Sequence, residues 1–174
     1  DGTRIVGTGR SKIKVWDAAT GKETLTVDSE FGGFGFRCGA AFSPDGTRIV
    51  GTGDEKIKVW DAATGQETLT IDSEFARFMG HESSVAFSPD GTRIIGSDDR
   101  DIKVWDAATG NEKLTLEEVH GSSADGARFV SGSREISVWD AATGQETLTL
   151  EGADGSFGRF AFSSDGTRII GRVS

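Results

Sequence analysis

Apolar and polar residues alternate along short stretches of this chain. Ile57 and Val59 alternate with Lys58 and Trp60, and the residues from Thr68 to Ile71 repeat the alternation. A period of two places successive side chains on opposite faces of the backbone and is typical of a β-strand rather than a helix. The pattern therefore predicts two consecutive strands in this part of the chain.

Turn-forming residues separate the stretches. Ser43–Gly46 (Ser-Pro-Asp-Gly) is a type I turn signal, because proline presets φ and glycine closes the turn. Gly53–Glu55 and Asp61–Gly65 predict two further turns, and the Ala-Ala-Thr within the second of them is too short to nucleate a helix. With a strand over Ala40–Ser43, residues 40–71 predict a four-stranded antiparallel meander.

This meander recurs along the chain. The heptapeptide VWDAATG occurs four times, beginning at Val15, Val59, Val104 and Val138. The pentapeptide DGTRI also occurs four times, beginning at Asp1, Asp45, Asp90 and Asp165, and an altered copy begins at Asp125. A recurrence of this length indicates one supersecondary unit stacked several times.

The unit resembles a WD repeat, in which four strands form one blade and a Trp-Asp pair closes the third strand. The resemblance covers nearly the whole chain. It implies an all-β fold, a β-propeller built of four-stranded antiparallel blades, with about four blades in this chain. It also implies that four tryptophans are buried anchors between blades, namely Trp16, Trp60, Trp105 and Trp139.

We expect residues 1–174 to form one propeller domain or part of one. The predicted blades are residues 1–27 completed by residues 158–163, then 40–71, 85–116 and 119–150, with an extra strand over 167–173. The extra strand duplicates the second strand of the first blade, and two segments cannot fill one position. Three alternatives remain open: a closed ring of four blades, a homodimer that closes an eight-bladed ring, and a slice of a longer repeat array.

The fourth blade is expected to be defective. Ten positions separate Leu116 from Gly126, whereas 19 separate Val27 from Gly46. A connector from the outermost strand to the next innermost strand crosses three strand spacings, about 15 Å. Little chain is then left for an inner strand, and we expect only a remnant over Val119–Ser122.

Composition narrows the classes of function. The net charge is −9 and no Lys/Arg cluster is present, so nucleic acid is not an expected partner. The single cysteine, Cys38, allows no intrachain disulfide, and no apolar run reaches membrane-spanning length. We therefore expect no membrane association and a cytoplasmic location.

No constellation of reactive residues is evident. His81 and His120 are the only histidines and lie in different predicted blades, which disfavours a metal site. Cys38 has no adjacent base, and the acidic turn at residues 98–101 lacks the spacing of a calcium loop. We expect no catalytic residue, no metal and no cofactor, and we expect that the protein is not an enzyme.

The resemblance also implies a structural hydrogen-bond tetrad of His, Ser or Thr, Asp and Trp. Only the third blade carries all four residue types, at His81, Ser97, Asp99 and Trp105.

The connectors between blades vary while the blade bodies repeat, and loops on a rigid scaffold often carry function. In the family's geometry these connectors share one face with the turns between second and third strands. Arginine and aromatic side chains are frequent interface anchors. The candidate partner-binding residues on this face are Arg10, Phe34, Arg37, Arg77, Phe78, Arg100, Arg134 and Arg159. Alternatively, the phenylalanines cap the blades and the arginines pair with nearby carboxylates.

The function expected from these features is a non-catalytic scaffold that binds a protein or peptide through its loop face. The alternative is a carbohydrate-binding propeller or a propeller hydrolase. Sugar binding favours an exposed Trp or Tyr, but tyrosine is absent and the tryptophans are assigned to the core. A hydrolase requires converging carboxylates or a Ser/His/Asp set, which the inner strands do not offer.

Overall fold

The computed structural model describes residues 2–9, 12–28, 39–53, 56–73, 84–97, 101–117, 119–123, 127–131, 135–141, 143–151 and 157–173. These residues form strands and turns and contain no helix. The strands of the first half are β1 (Arg4–Thr8), β2 (Lys12–Asp17), β3 (Glu23–Asp28), β4 (Ala40–Phe42), β5 (Arg48–Gly53), β6 (Lys56–Asp61), β7 (Glu67–Asp72) and β8 (Ser84–Phe87). Those of the second half are β9 (Arg93–Ser97), β10 (Ile102–Asp106), β11 (Glu112–Leu116), β12 (Val119–Ser122), β13 (Arg128–Ser131), β14 (Glu135–Asp140), β15 (Glu146–Glu151), β16 (Phe157–Phe162) and β17 (Ile169–Val173).

The strands form five sheets in chain order, and within each sheet every strand pairs antiparallel with its neighbour in sequence. The first sheet is β1–β3, the second β4–β7, the third β8–β11, the fourth β12–β15 and the fifth β16–β17. The repeated sequence motifs thus correspond to repeated meanders, as expected for blades of a β-propeller.

Glycine in the left-handed region allows the tight turns of each meander. Gly46 follows the Pro-Asp of the turn between first and second strands with a φ of 71°, and Gly65 ends the turn between third and fourth strands with a φ of 74°. Glycine adopts these angles without the steric cost that a side chain imposes. The DG and ATG motifs therefore determine where the chain reverses.

A β-bulge precedes the tryptophan of the third strand. In the second sheet Val59 is opposite Leu69, but Trp60 is opposite Glu67, so the register shifts between Val59 and Trp60. The first, third and fourth sheets shift at the same motif position. An additional residue in one strand changes the local twist and the direction of the side chain beside it.

Each sheet packs on the next through buried apolar residues. Ile57 and Val59 pack toward the third sheet together with Phe87 and Trp105. Trp60 packs in the opposite direction, against Ile13 and other residues of the first sheet. The third strand is apolar on both faces because it lies between two neighbouring sheets. Two further buried clusters join the third sheet to the fourth and the fourth to the fifth.

The strand over residues 157–162 does not complete the first sheet, in contrast to the arrangement expected from the sequence. β16 pairs with β17, and Phe160 packs against Val130 and Ile136 of the fourth sheet. β17 begins at the isoleucine of the duplicate DGTRI motif and pairs with the strand immediately before it, as β5 and β9 do in the second and third sheets. A local hairpin closes a much shorter loop than a pairing between the two chain ends.

The fourth sheet contains an inner strand of ordinary length. β12 has four residues, as β8 does, and only residues 117–118 separate it from β11. Its pairing with β13 shifts in register between Val119 and Gly121. The shortened connector therefore leaves an irregular inner strand in place.

Candidate interaction face

The connector face predicted from the sequence lies mostly outside the described residues. This applies to Arg10, Phe34, Arg37, Arg77, Phe78, Arg100 and Arg134, and to His81 and Asp99 of the predicted tetrad. Arg159 lies in β16, although its side chain is not described. The topology places the connectors 29–39 and 73–83 at the ends of β3 and β7, at the same end of the sheets as the turns after β1 and β5.

The described residues show which hydrogen bonds hold the inner and second strands together next to this face. Thr52 is buried, its N–H donates to the carbonyl of Gly39 at 3.2 Å, and its hydroxyl accepts from the N–H of Gly39 at 3.3 Å. In the third sheet the hydroxyls of Ser84 and Ser97 lie 2.7 Å apart. In both sheets the beginning of the inner strand is therefore tied to the end of the second strand, where the connector arrives.

The four predicted tryptophan anchors differ in burial. Trp60 and Trp105 are each 2% exposed, whereas Trp16 and Trp139 are half-buried. Trp16 belongs to the first sheet, where no other described sheet covers the face on which it lies. The lack of a described neighbouring sheet accounts for the exposure of Trp16, whereas Trp139 is only half-buried although it packs against the cluster that joins the third and fourth sheets.

Trp139 makes a contact that the sequence analysis missed. Its indole N–H donates to the hydroxyl of Ser131 at 2.8 Å. The first and second sheets have Gly7 and Gly51 at the position of Ser131, where a Cβ would lie only 3.0 and 3.1 Å from the tryptophan ring. At this position the fourth sheet has a hydrogen bond to the tryptophan, where the first and second sheets have a close contact between the glycine and the tryptophan ring. The serine in place of the repeated glycine was the available signal.

The aspartate of each Trp-Asp pair fixes the turn that follows it. Oδ1 of Asp61 accepts from the N–H and hydroxyl of Thr64, both at 2.8 Å, and from the N–H of Ala63 at 3.0 Å. These bonds, that of the Thr64 hydroxyl above all, lower the pKa of Asp61. Asp17, Asp106 and Asp140 hold the equivalent turns. The carboxylates are engaged within their own turns and are turn-forming groups.

A second set of aspartates fixes the turn between first and second strands. Oδ1 of Asp45 accepts from the Ser43 hydroxyl at 2.5 Å and from the N–H of Thr47 at 3.0 Å. The bond from Ser43 is the largest of the effects that lower the pKa of Asp45 to about 2. Asp90 and Asp165 hold equivalent turns. Both sets of aspartates lie at the end of the sheets opposite the connectors.

The arginine of the DGTRI motif connects neighbouring sheets, which the sequence analysis also missed. Nη2 of Arg48 donates to the carbonyl of Gly91 at 2.7 Å, and its guanidinium carbon lies 4.8 Å from the centroid of the Phe87 ring. Both partners belong to the turn and inner strand at the next sheet. A cation over an aromatic face is attracted by the ring quadrupole. The side chain therefore links two blades by one polar and one aromatic contact.

The same bridge recurs along the row of sheets. Arg4 donates to the carbonyl of Gly46 and lies 4.7 Å from the centroid of the Phe42 ring. Arg128 lies 5.5 Å from the centroid of Phe162. The sequence contained a signal for this bridge, since an arginine follows each DGT and a phenylalanine precedes every Ser-x-Asp-Gly except that of the fourth sheet.

At the third sheet the aromatic part of this pattern is missing. Nη1 of Arg93 forms an ion pair with Asp106 of its own sheet at 3.2 Å. The inner strand of the next sheet has Ser122 at the position that Phe87 occupies in the third sheet. The junction between third and fourth sheets is therefore built without the arginine–phenylalanine contact.

Exposed charges on the outer strands pair within their own sheets. Lys14 contacts Glu23 at 2.6 Å, and Lys103 contacts Glu112 at 3.2 Å in the corresponding place. Solvent-exposed pairs of this kind contribute little to stability. Among the residues that the structure describes, no group of three His, Cys, Asp or Glu side chains is arranged to hold a metal ion. That same part of the chain contains no helix long and apolar enough to cross a membrane.

Comparison with known proteins identifies the repeat. The family model described as "WD domain, G-beta repeat" matches residues 35–61 and 73–106. The two matches cover the inner three strands of the second sheet and of the third, together with the end of the connector before the second sheet and the connector before the third. No curated protein matches the chain.

Proposed function

The chain belongs to the WD-repeat family, whose repeats generally serve as scaffolds for protein–protein interaction, and we propose that it is a non-catalytic scaffold that binds a protein or peptide through its connector face. The observation that carries this proposal is the contrast between the two ends of the sheets. At one end the aspartates are engaged in turns of nearly invariant sequence. At the other, fixed strands present connectors whose sequences differ.

The connectors contain the residue types suited to binding. Residues 29–38 and 74–83 include Phe34, Arg37, Arg77 and Phe78. Aromatic side chains anchor interfaces because they bury a large apolar area, and arginine does so because its guanidinium donates several hydrogen bonds in a fixed geometry. The acidic balance of the chain, with 28 Asp and Glu against 19 Lys and Arg, favours a protein or peptide over nucleic acid.

For the blades at the two ends of the row, the proposed partner is either a second copy of the chain, closing an eight-bladed ring, or the remaining repeats of a longer array.

The test combines selection with charge reversal. The immobilised chain is panned against a displayed library of random peptides, and the affinity of each enriched peptide is then measured by fluorescence anisotropy. Arg37→Glu with Arg77→Glu should weaken binding at least about tenfold while leaving the melting temperature nearly unchanged. Lys22→Glu with Lys113→Glu is the matched control, since both lysines are exposed and lie toward the opposite end of the sheets.

Two results would contradict the proposal. Equal loss of affinity in the control pair would show that net charge, and not the connector face, governs binding. Binding on a glycan array without enrichment of any peptide would instead favour a carbohydrate ligand.

A further inference from the structure

Three junctions between successive sheets place a phenylalanine ring beside an arginine of the sheet before it. The ring of Phe87 lies 4.8 Å from the guanidinium carbon of Arg48, and the corresponding distances at Phe42 and Phe162 are 4.7 and 5.5 Å. Each ring belongs to the last residue of an inner strand, directly before the turn to the second strand. The chain itself therefore shows which group fits this position between two blades, namely an aromatic ring.

The junction between the third and fourth sheets has a serine at this position. Ser122 ends the inner strand of the fourth sheet, as Phe87 ends that of the third. Phe87 is 8% exposed, whereas Ser122 is exposed. A hydroxyl group stands where the other inner strands carry a phenyl ring, so Ser122 leaves the place of that ring unfilled.

The unfilled place opens toward the third sheet. The residue before Ser122, Gly121, faces the fifth sheet, where its Cβ position lies 2.6 Å from the carbonyl oxygen of Phe160. Successive residues of a strand point to opposite faces of the sheet, so Ser122 points back toward the third sheet. The close approach at Gly121 also holds β12 against β16, on the side away from the third sheet.

Two side chains of the third sheet border this place. Ile95 corresponds to Val50 and Val130, which are both fully buried and pack with the phenylalanine of the next inner strand. Ile95 packs against the cluster between the third and fourth sheets but is only partly buried. The side chain of Arg93 is 22% exposed. We call the place between Arg93, Ile95 and Ser122 the junction notch.

The fourth sheet carries one additional ring, and it lies deeper than the notch. Phe129 stands where the third sheet has Ile94, is 3% exposed and belongs to the same buried cluster as Val104. Ile95 and Ser122 retain exposed surface with this ring in place. Phe129 therefore fills the interior of the junction and leaves the notch open at its surface.

We propose that the junction notch binds an aromatic side chain of a protein or peptide partner, with the ring on the guanidinium of Arg93 and against Ile95. A guanidinium cation attracts the electron-rich face of an aromatic ring. The partner's ring takes the place that the chain's own phenylalanines take at the other junctions.

The ion pair of Arg93 is compatible with this contact. Nη1 of Arg93 lies 3.2 Å from Oδ2 of Asp106. The N–H groups of a guanidinium lie in its plane, whereas a ring stacks on its face. Arg48 shows both contacts together, since it donates to the carbonyl of Gly91 at 2.7 Å while it lies over the ring of Phe87.

The notch is separate from the connector face. It lies beside the turns between first and second strands, at the end of the sheets opposite the connectors. A ligand in the notch and a partner on the connector face therefore contact different residues, and the two sites can be tested independently.

The probe for the notch is N-acetyl-phenylalanine amide, titrated into the isotope-labelled chain and followed by NMR. It should shift the side-chain Nε–H signal of Arg93 and the amide signals of Ile95 and Ser122 to saturation. The Nε–H signal of Arg48 should not shift, because Phe87 already occupies its position. The pentafluorophenyl analogue has nearly the same shape but a reversed ring quadrupole, so it should bind about threefold more weakly or worse.

Substitutions at the notch give the matched variants. Ser122→Phe supplies the missing ring from the chain itself, so it should abolish the saturable shifts and raise the melting temperature. Ser122→Ala leaves the notch open and should bind the probe as the unmodified chain does. Arg93→Lys keeps the charge opposite Asp106 but lacks the planar face, and it should weaken binding by about threefold or more.

A displayed library of random peptides tests the class of partner. Peptides that bind the Ser122→Phe variant are removed first, and the remainder is selected on the unmodified chain. Each enriched peptide should contain a phenylalanine, tyrosine or tryptophan whose replacement by alanine abolishes binding. Enrichment of peptides without an aromatic residue would contradict the proposed ligand.

Three further results would overturn the inference: no saturable shift at Arg93, equal binding of the fluorinated analogue, or unchanged binding to Ser122→Phe. If Ser122→Phe does not fold, the first two results and Arg93→Lys still decide. Loss of probe binding in the Arg37→Glu, Arg77→Glu pair would place the ligand on the connector face and overturn the notch alone. Probe binding that survives in this pair, without any peptide that depends on Arg37 and Arg77, would support the notch and contradict the connector-face site.

Discussion

Replacing Arg48 by alanine should measure how strongly the arginine bridge stabilises the junction between two blades. The substitution removes the 2.7 Å bond to the carbonyl of Gly91, a 3.4 Å bond to the carbonyl of Ala107, and the contact 4.8 Å from the ring of Phe87. A hydrogen bond from a charged donor contributes about 1.5–3 kcal/mol, and the longer bond adds little. The cation–π contact adds roughly 0.5–1 kcal/mol. The expected loss is therefore about 2–4 kcal/mol in the free energy of unfolding.

Urea unfolding at neutral pH gives this loss directly, and a thermal scan gives it as a fall in Tm of roughly 5–15 °C for a chain of this size. Arg168→Ala is the matched control, because Arg168 occupies the same motif position in the fifth sheet and its side chain is exposed. An exposed substitution of this kind should change stability by less than about 0.5 kcal/mol. Arg48→Lys should give an intermediate loss, since lysine keeps the charge but lacks the planar guanidinium.

A double-mutant cycle with Phe87→Leu separates the aromatic contact from the hydrogen bonds. The coupling energy between the two positions should be about 0.5–1 kcal/mol. If Arg48→Ala were no more destabilising than Arg168→Ala, the bridge would contribute nothing and the junction would depend on apolar packing alone.

Three further predictions concern other parts of the frame. Trp60→Ala should lower the free energy of unfolding by about 3–5 kcal/mol, because the side chain is 2% exposed, and a loss below about 1 kcal/mol would contradict its role as an anchor. Amides of β12 and β13 should exchange faster than those of β8–β11, since β12 has an irregular register and Ser122 in place of the phenylalanine. Equal protection in a hydrogen-exchange experiment would show that the fourth sheet is not weakened. The pKa of Asp45 is lowered to about 2 from 3.8, so its contribution to stability is present above about pH 4 and is lost as the pH falls toward 2. Ser43→Ala should raise that pKa toward the ordinary value in an NMR titration, and an unchanged pKa would mean that the serine hydroxyl does not stabilise the carboxylate.

The sequence was sufficient for everything that depends on near neighbours. Period-two alternation predicted the strands around Ile57 and Val59, and the DG and ATG motifs predicted the turns that Gly46 and Gly65 allow. The recurrence of these motifs predicted a row of similar antiparallel sheets. Strand period, turn geometry and repeat length are local properties, so they can be inferred without knowing which surfaces meet.

For the proposed binding residues, the sequence indicated only the residue types and the segments in which they lie. The variable connectors and their arginine and phenylalanine residues can be identified by contrast with the repeated blade bodies, but their arrangement depends on how the blades are placed around them. The residues that the sequence analysis missed lie in the blades and not in the connectors. Ser131, for instance, has significance only because Trp139 of the adjacent strand reaches its hydroxyl.

Tertiary structure alone decided which copy of a repeated motif is covered and which is exposed. Ile5 and Ile49 have the same sequence context, yet one is 55% exposed and the other fully buried, since only the second has a neighbouring sheet on that side. The arginines of DGTRI likewise differ: Arg48 reaches the next sheet, and Arg168 is exposed. Identical local sequences encode identical strands, but burial and inter-blade contacts are made between residues about 40 positions apart, so the neighbouring sheet determines them.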